Sequence, residues 1–365
     1  MVTEVKRIRV LVVDDSAVMR KVIPALLDKD DSIEVVGTAL DGDFALNKIE
    51  QLRPDVVTMD IEMPRMDGLS ALKQIVARHS IPVVMLSSFT TRGAALTMKA
   101  LEMGAVDFVC KPRGVAHVGE MAVELISKVK LAAQTRLIDL RSGARVIGTA
   151  RDVKEGGVVG KVPRRLVAIG ASSGGPHALR YLLPRIPADF GAGIVIVQHM
   201  PESFTAMLAR WLNEICEVEV REAVSGERAV PGMVLIAPGN AHMKIKRRPG
   251  GPVVVIERGV AVNGHMPSVD VLFESVAREY KDEALGVILS GMGSDGAAGI
   301  GKMRERGAHT IAQDRESCAI YGMPRVAVEK GFIDKVVPLA DMAAYIVSSV
   351  GQIQGVEAGR HADIC

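Results

Sequence analysis

Four side chains in the first third of the sequence have types and spacing that could do phosphoryl chemistry. Asp14 and Asp15 close the apolar run IRVLVV, Asp60 closes VVTMD, and Lys111 follows DFVC. Short Val/Ile runs with helical patterns between them put all four at carboxyl ends of parallel strands, where open α/β sheets bind their ligands. Three carboxylates gathered there repel one another unless a cation lies among them, and Mg²⁺ prefers such hard oxygen donors. A carboxylate beside that metal can attack a phosphoryl group and form an acyl phosphate. The Lys111 ammonium and the Ser87 hydroxyl, at the end of the fourth run, can then hold phosphoryl oxygens. A single Asp at a strand end is more often a helix cap or turn former, so the set carries the argument and no member does alone.

A second constellation lies further on. Gly170-Ala171-Ser172-Ser173-Gly174-Gly175-Pro176 follows LVAI and precedes a helical pattern, as in a nucleophile elbow that lifts a serine above a sheet. The helix start offers N–H groups to an oxyanion, though such a turn alone is as readily a phosphate cradle or a plain cap. A serine needs a base, and His199 is best placed because IVIVQHMP sets it at the end of the next strand. His177 faces outward from the first helical turn, and His309 stands at the entrance of a strand, the wrong end of the sheet. His242 and His265, in loops, stay open as alternatives. Asp295, in SGMGSDGAAG after another strand, can orient the base or merely cap a helix. Ser172, His199 and Asp295 then read as nucleophile, general base and imidazole-orienting acid. Their chain order disfavours the α/β-hydrolase fold, where the acid precedes the histidine. Two rivals remain. Gly291-x-Gly293-x-x-Gly296, with Asp314 further on, is a literal dinucleotide-binding pattern, but it sits in a late unit and gives Ser172 and His199 no task. An output domain that only binds partners is the other.

The elements that must position these residues follow from the rhythm of the chain. Strands are expected at 8–13, 33–39, 55–59, 82–87 and 107–110, with helices between them. Near residue 141 the pattern stops. The segment 141–165 has five glycines and no sustained period, and reads as linker. A second series brings strands at 165–169, 194–198, 233–237, 253–257, 284–290 and 309–312. Helices are expected near 176–183, 203–214, 268–280, 296–306, 323–330 and 339–350, with fraying from Gly351. This predicts domains at 6–128 and 163–350 with a linker at 129–162, within the length that 365 residues allow.

Composition narrows the class. With 45 Lys plus Arg against 43 Asp plus Glu, the chain lacks the basic excess of a nucleic-acid binder. No run of about 18 apolar residues occurs, so membrane insertion is not expected, and the N-terminus lacks the form of a signal peptide. The cysteines Cys110, Cys216, Cys318 and Cys365 show no metal or disulfide spacing, which suits a reducing cytoplasm.

The DD pair, MDIEMPRMDG, LSS and CKP in consecutive units resemble the response-regulator receiver family over 6–128. That resemblance implies a flavodoxin-like five-stranded parallel sheet. It also implies phosphorylation of Asp60 by a sensor histidine kinase, and Mg²⁺ held by Asp14, Asp15, Asp60 and the Glu62 carbonyl. Sensing would run through Ser87 and Lys111, with Phe108 as the switch aromatic. AIGASSGGP, VIVQHMP, LIAPGNAHM, ILSGMGSDG and QDRESCAIYGMP are similar to the catalytic domain of the CheB methylesterase family over 163–350. This implies a doubly wound, mostly parallel α/β domain, needing no cofactor, with Ser172, His199 and Asp295 as triad. Ser173 and Met292 would line the site near the oxyanion. The implied activity is hydrolysis of glutamate γ-methyl esters on methyl-accepting chemotaxis receptors, releasing methanol, and deamidation of receptor glutamines. Family members often carry Thr where this chain has Ser173 and Asn where it has Ser294; both changes are small and leave the triad intact. A switch ahead of an esterase further suggests that the unphosphorylated receiver covers the Ser172 crevice and that phosphorylation releases it.

Overall fold

The structure, a computed structural model, describes residues 7–88, 90–112, 118–134, 166–249 and 251–360, and the chain divides into two compact units, Met1–Arg145 and Val146–Cys365. Of the expected linker 129–162, residues 129–134 continue a helix and the remainder lies outside the described residues.

The first unit alternates strictly: β1 (Ile8–Val13), α1 (Met19–Leu27), β2 (Ile33–Ala39), α2 (Gly42–Leu52), β3 (Val56–Asp60), α3 (Gly68–Arg78), β4 (Val83–Ser87), α4 (Thr91–Glu102), β5 (Asp107–Cys110) and α5 (Val118–Gln134). All strand pairs are parallel, in the order β2-β1-β3-β4-β5. The β3, β4 and β5 runs are buried throughout, as strands covered by helices on both faces require. Side-chain caps start α2, α3 and α4: Asp41 accepts from Phe44 N, Asp67 from Ser70 N and Thr90 from Gly93 N. The chain reverses direction across the sheet between β1 and β3, where Val13 pairs with Met59. Asp14 and Asp60 therefore end neighbouring strands at the switch point.

The second unit contains β6 (Leu166–Ala171), α6 (Gly175–Leu182), β7 (Gly193–Gln198), α7 (Phe204–Ile215), β8 (Glu219–Glu222), β9 (Met233–Ile236), β10 (His242–Arg248), β11 (Gly251–Glu257), α8 (Val269–Tyr280), β12 (Ala284–Ile288), α9 (Ala297–Glu305), β13 (His309–Gln313), α10 (Met323–Glu329), β14 (Lys335–Val337) and α11 (Leu339–Arg360). Seven strands form a parallel sheet in the order β14-β13-β12-β6-β7-β9-β8. The chain starts in the middle at β6, winds one way through β7, then crosses to β12 and winds the other way. A second switch point thus falls between β6 and β12.

Several details depart from the sequence reading. The expected strand 253–257 is not part of the sheet; it forms an antiparallel hairpin with β10. That hairpin partner was unexpected because HMKIKRR is half basic, yet its alternation buries Met243 and Ile245. β8 and β14 are short, charged edge strands, with little apolar periodicity to announce them. The last helix runs on past Gly351 to Arg360, through residues such as Gln352, Gln354 and Glu357 that suit helix.

One glycine fixes the geometry behind Asp60. The Gly68 N–H donates to Ile61 O at 3.0 Å, and a Cβ at Gly68 would stand 2.0 Å from the Asp60 carbonyl oxygen. Because that neighbour is backbone, relief requires moving β3 or α3. Gly68→Ala should lower the stability of the first unit by about 1–3 kcal/mol and slow phosphorylation of Asp60. Urea unfolding checks this; an unchanged midpoint would contradict the close approach.

Candidate active and phosphorylation sites

In the first unit, carboxylate oxygens of Asp14, Asp15 and Asp60 all lie within 4.8 Å of one another. Asp14 and Asp60 are buried and Asp15 is exposed. Lys111 Nζ stands 2.7 Å from Asp60 Oδ2 and 2.9 Å from Asp14 Oδ2, so one ammonium is shared by two of the three acids. Burial pushes the Asp60 carboxyl up to about 6, with Asp14 and Asp15 adding to the shift and Lys111 opposing it. Burial works against the Lys111 charge, but Asp60 and Asp14 outweigh it and hold its pKa above the ordinary value. Hard oxygen donors left with excess negative charge fit a divalent cation such as Mg²⁺. Ser87 is fully buried at the end of β4, but its hydroxyl is bonded into α4, accepting from Thr97 Oγ1 at 2.7 Å and donating to Gly93 O at 3.2 Å. Its hydroxyl is thus engaged by α4. Phe108 is buried, with Lys128 Nζ 4.9 Å from its ring centroid.

In the second unit, β6 and β7 pair with Ala171 opposite Gln198, so Ser172 and His199 are the next residues on adjacent strands. Each is held by Gln198, whose Nε2 donates to Ser172 O at 2.8 Å and His199 O at 3.1 Å. The turn after Ser172 uses Gly174 at φ 76°, and a Cβ there would meet Ala319 at 2.3 Å. Helix α6 follows at once, as an elbow demands. Ser173 is half-buried; its carbonyl accepts from Ser290 Oγ at 2.8 Å. Ser290 Oγ also accepts from Ile320 N at 2.8 Å, so the segment before α10 braces the turn from beneath. Gly291, which precedes the half-buried Met292, accepts from Met323 N and donates to Ile320 O.

Asp295, 1% exposed, reaches the same strand end from the loop after β12. His199 Nε2 lies 2.8 Å from its Oδ2. Val269 N also donates to Oδ2, at 2.7 Å, while Ser268 Oγ and Asn263 Nδ2 donate to Oδ1 at 2.9 and 3.0 Å. Burial alone would raise its pKa; the bonds from His199, Asn263 and Val269 outweigh burial and hold the carboxyl well below the usual range. Asp295 does not cap its own helix, which starts on Gly296 without a side-chain cap. It sits at the N-terminus of α8 instead.

Of the histidines left open, His242 is the first residue of β10 and not a loop residue. Both its nitrogens are engaged, Nδ1 by Ser268 N at 3.2 Å and Nε2 with Val260 O at 3.0 Å, so it is a satisfied structural histidine. His309 begins β13, at the far end of the sheet as expected, with Tyr345 Oη 3.0 Å away. His265 lies in a loop, and its ring stacks on His199. The rival glycine pattern, with Gly293 and Gly296 at φ 81° and 89°, is the loop that carries Asp295.

Two family models match the chain: CheB methylesterase over residues 167–346, and response regulator receiver domain over residues 10–122. A protein-glutamate methylesterase/protein-glutamine glutaminase of Koribacter versatilis is 48% identical over 338 residues, spanning 91% of this chain and 93% of that protein. The chain belongs to the CheB methylesterase family. A relative of the same name from Pyrococcus horikoshii is 42% identical over 365 residues, 98% of each chain. The crystal structure of the Thermotoga maritima CheB methylesterase catalytic domain covers 51% of this chain and 98% of its own, at 39% identity and a TM-score of 0.50.

Within this family setting, Gln198, Ser268, Asn263 and Ser290 are the site residues that sequence reasoning missed. The segment VNGHMPSVD, just ahead of α8, was the available signal: Asn, His and Ser packed before an apolar helix start.

The raised Asp60 pKa has a stability consequence. Native Asp60 holds its proton more tightly than the unfolded chain does, so its contribution is present below the ordinary value of 3.8 and is lost as pH rises through about 6. Asp60→Asn removes the buried charge. In EDTA at pH 8 it should stabilise the first unit by about 1–3 kcal/mol, and the gain should shrink below pH about 4. Urea titrations of both proteins at the two pH values read this directly; a pH-independent difference would oppose it.

Proposed function

We propose that this chain is a phosphorylation-activated serine hydrolase that cleaves glutamate γ-methyl esters of methyl-accepting chemotaxis receptors and deamidates receptor glutamines. The observation that carries the reading is the buried Asp295–His199 pair at the strand end beside Ser172. Both activities proceed through one chemistry. Ser172 Oγ attacks the side-chain carbonyl while His199 takes its proton. The protonated His199 then passes that proton to the leaving group, methanol from an ester or ammonia from an amide. Water, activated by the same imidazole, releases the glutamate carboxylate from the acyl-enzyme. Asp295 on Nε2 fixes the tautomer, which makes Nδ1 the basic nitrogen; that nitrogen is buried and without a hydrogen-bond partner among the described residues. Ser173 and Met292, at the turn and at the Asp295 loop, line the position of the developing oxyanion.

Asp60 is the acceptor of a phosphoryl group from a sensor histidine kinase. Asp14, Asp15 and Asp60 would hold Mg²⁺, which when bound offsets charge on the phosphoryl oxygens. Lys111 and, after its hydroxyl turns from α4, Ser87 would engage those oxygens. No helix among the described residues is long and apolar enough to cross a membrane, and we place the enzyme in the cytoplasm, with receptors and kinase as partners.

Methanol release from methylated receptors tests the assignment. Ser172→Ala and His199→Ala should each lose on the order of 10⁴-fold or more of the rate, and the double variant little further. Acetyl phosphate should raise the wild-type rate and leave Asp60→Ala unchanged. Full activity in Ser172→Ala would sink the nucleophile.

A further inference from the structure

The mechanism above leaves one titratable group unused inside the site. His265 lies flat against His199, with ring centroids 3.8 Å apart and planes inclined by only 9°. Its backbone is held by a reciprocal pair of bonds, His265 N to Val262 O at 2.9 Å and Val262 N to His265 O at 3.0 Å. The turn so closed carries Asn263, whose Nδ2 donates to Asp270 Oδ2 at 2.7 Å and Asp295 Oδ1 at 3.0 Å. The turn that presents His265 is thus tied to the carboxylate that orients His199.

An imidazole fixed only through Nε2 can still swing about that hydrogen bond, and such a swing would move Nδ1 away from the serine. A flat ring packed on its face removes the freedom. We infer that His265 is a positioning residue that clamps the His199 ring with Nδ1 toward Ser172 and offers a neutral π face to the imidazolium formed during acyl transfer. This rests on the reading of His199 as the base. The groups facing His265 are His199, from the end of β7, and the Asp295 carboxylate, from the loop after β12; Asp270, at the start of α8, lies behind Asn263. Burial pushes His265 down to about 4, the His199 charge adds to the shift and Asp295 opposes it. At neutral pH the ring is uncharged, so it can meet a cation without repelling it. A cation held over a neutral aromatic face is stabilised, the more so when water is excluded.

The test uses the full chain with acetyl phosphate, reading methanol release from methylated receptors and the rate of covalent labelling of Ser172 by a fluorophosphonate. His265→Ala should lower kcat about tenfold, leave KM within about twofold, and slow labelling by the same factor. His265→Phe, flat and neutral, should recover most of the loss. His265→Arg, flat but permanently cationic, should not. A wild-type kcat in His265→Ala overturns the inference, as does a loss confined to KM, which would make His265 a substrate contact. His265→Phe as inactive as His199→Ala also overturns it, because then the imidazole itself is required. If His265→Ala does not fold, the Phe and Arg pair decides alone. Failure of the underlying reading looks different: His199→Ala would label Ser172 at the wild-type rate.

Discussion

A carboxylate shut away from water is tolerated only where donors replace the hydration it loses, and Asp295 imposes that demand on everything around it. Its two oxygens accept from His199, Val269, Ser268 and Asn263, which belong to the end of β7, the start of α8 and the turn between β11 and α8. None of these segments is near Asp295 in sequence. Each is brought to it because an unsatisfied buried carboxylate would cost several kcal/mol, more than most single contacts supply. The N-terminus of α8 adds its dipole to the same end. The hairpin β10–β11 and the loop after it can be seen as the scaffold for this delivery. They lie outside the parallel sheet, yet their loop carries Asn263 and His265 into the site.

Both units solve the placement problem in the same way. A parallel sheet whose strands are buried on both faces has few polar side chains within its runs, so polar chemistry collects where strands end. Where the winding reverses, adjacent loops diverge to opposite faces and leave a crevice. In the first unit that point lies between β1 and β3, and it holds Asp14 and Asp60. In the second it lies between β6 and β12, and it holds Ser172 and Asp295, with His199 one strand away. The one fold principle would therefore serve the proposed phosphoryl transfer at one site and acyl transfer at the other, through residues at strand ends and in loops.

This also explains what could be read from sequence. Strand interiors such as VVTMD and GIVIVQ are mostly apolar runs, and each ends on a polar residue, so strand, end and candidate residue were legible together. Edge strands were not: EVRE is mostly charged, KVV is very short, and both owe their conformation to a neighbour. The satisfied His242 and the stacked His265 looked alike as loop histidines. They are told apart only by partners from other segments, Ser268 and Val260 for one and His199 for the other. Gln198 was hidden for a similar reason. Next to His199 it looks like a strand terminus, and its role depends on Ser172 O lying across the strand gap. Ser87 shows the converse: its position was legible, but the rotation of its hydroxyl into α4 depends on Thr97.

Asp60 and Asp295 make the physical point most sharply, because they are the same residue type, both buried at the ends of parallel strands, with opposite shifts. Burial raises both. Around Asp295 the neighbours are fixed donors from one imidazole, one hydroxyl, one amide and two backbone N–H groups, and together they outweigh burial. Around Asp60 the single ammonium of Lys111 is shared with Asp14, and Asp15 adds a third carboxylate to the group. The first environment makes a permanent anion, which under the proposed reading would hold His199 in one tautomer while a cation forms on it. The second makes an anion short of positive charge, receptive to a divalent ion and so to the phosphoryl group that such an ion would help hold. The difference between a structural charge and a switchable one thus lies in whether the donors are built into the fold or must arrive from solution.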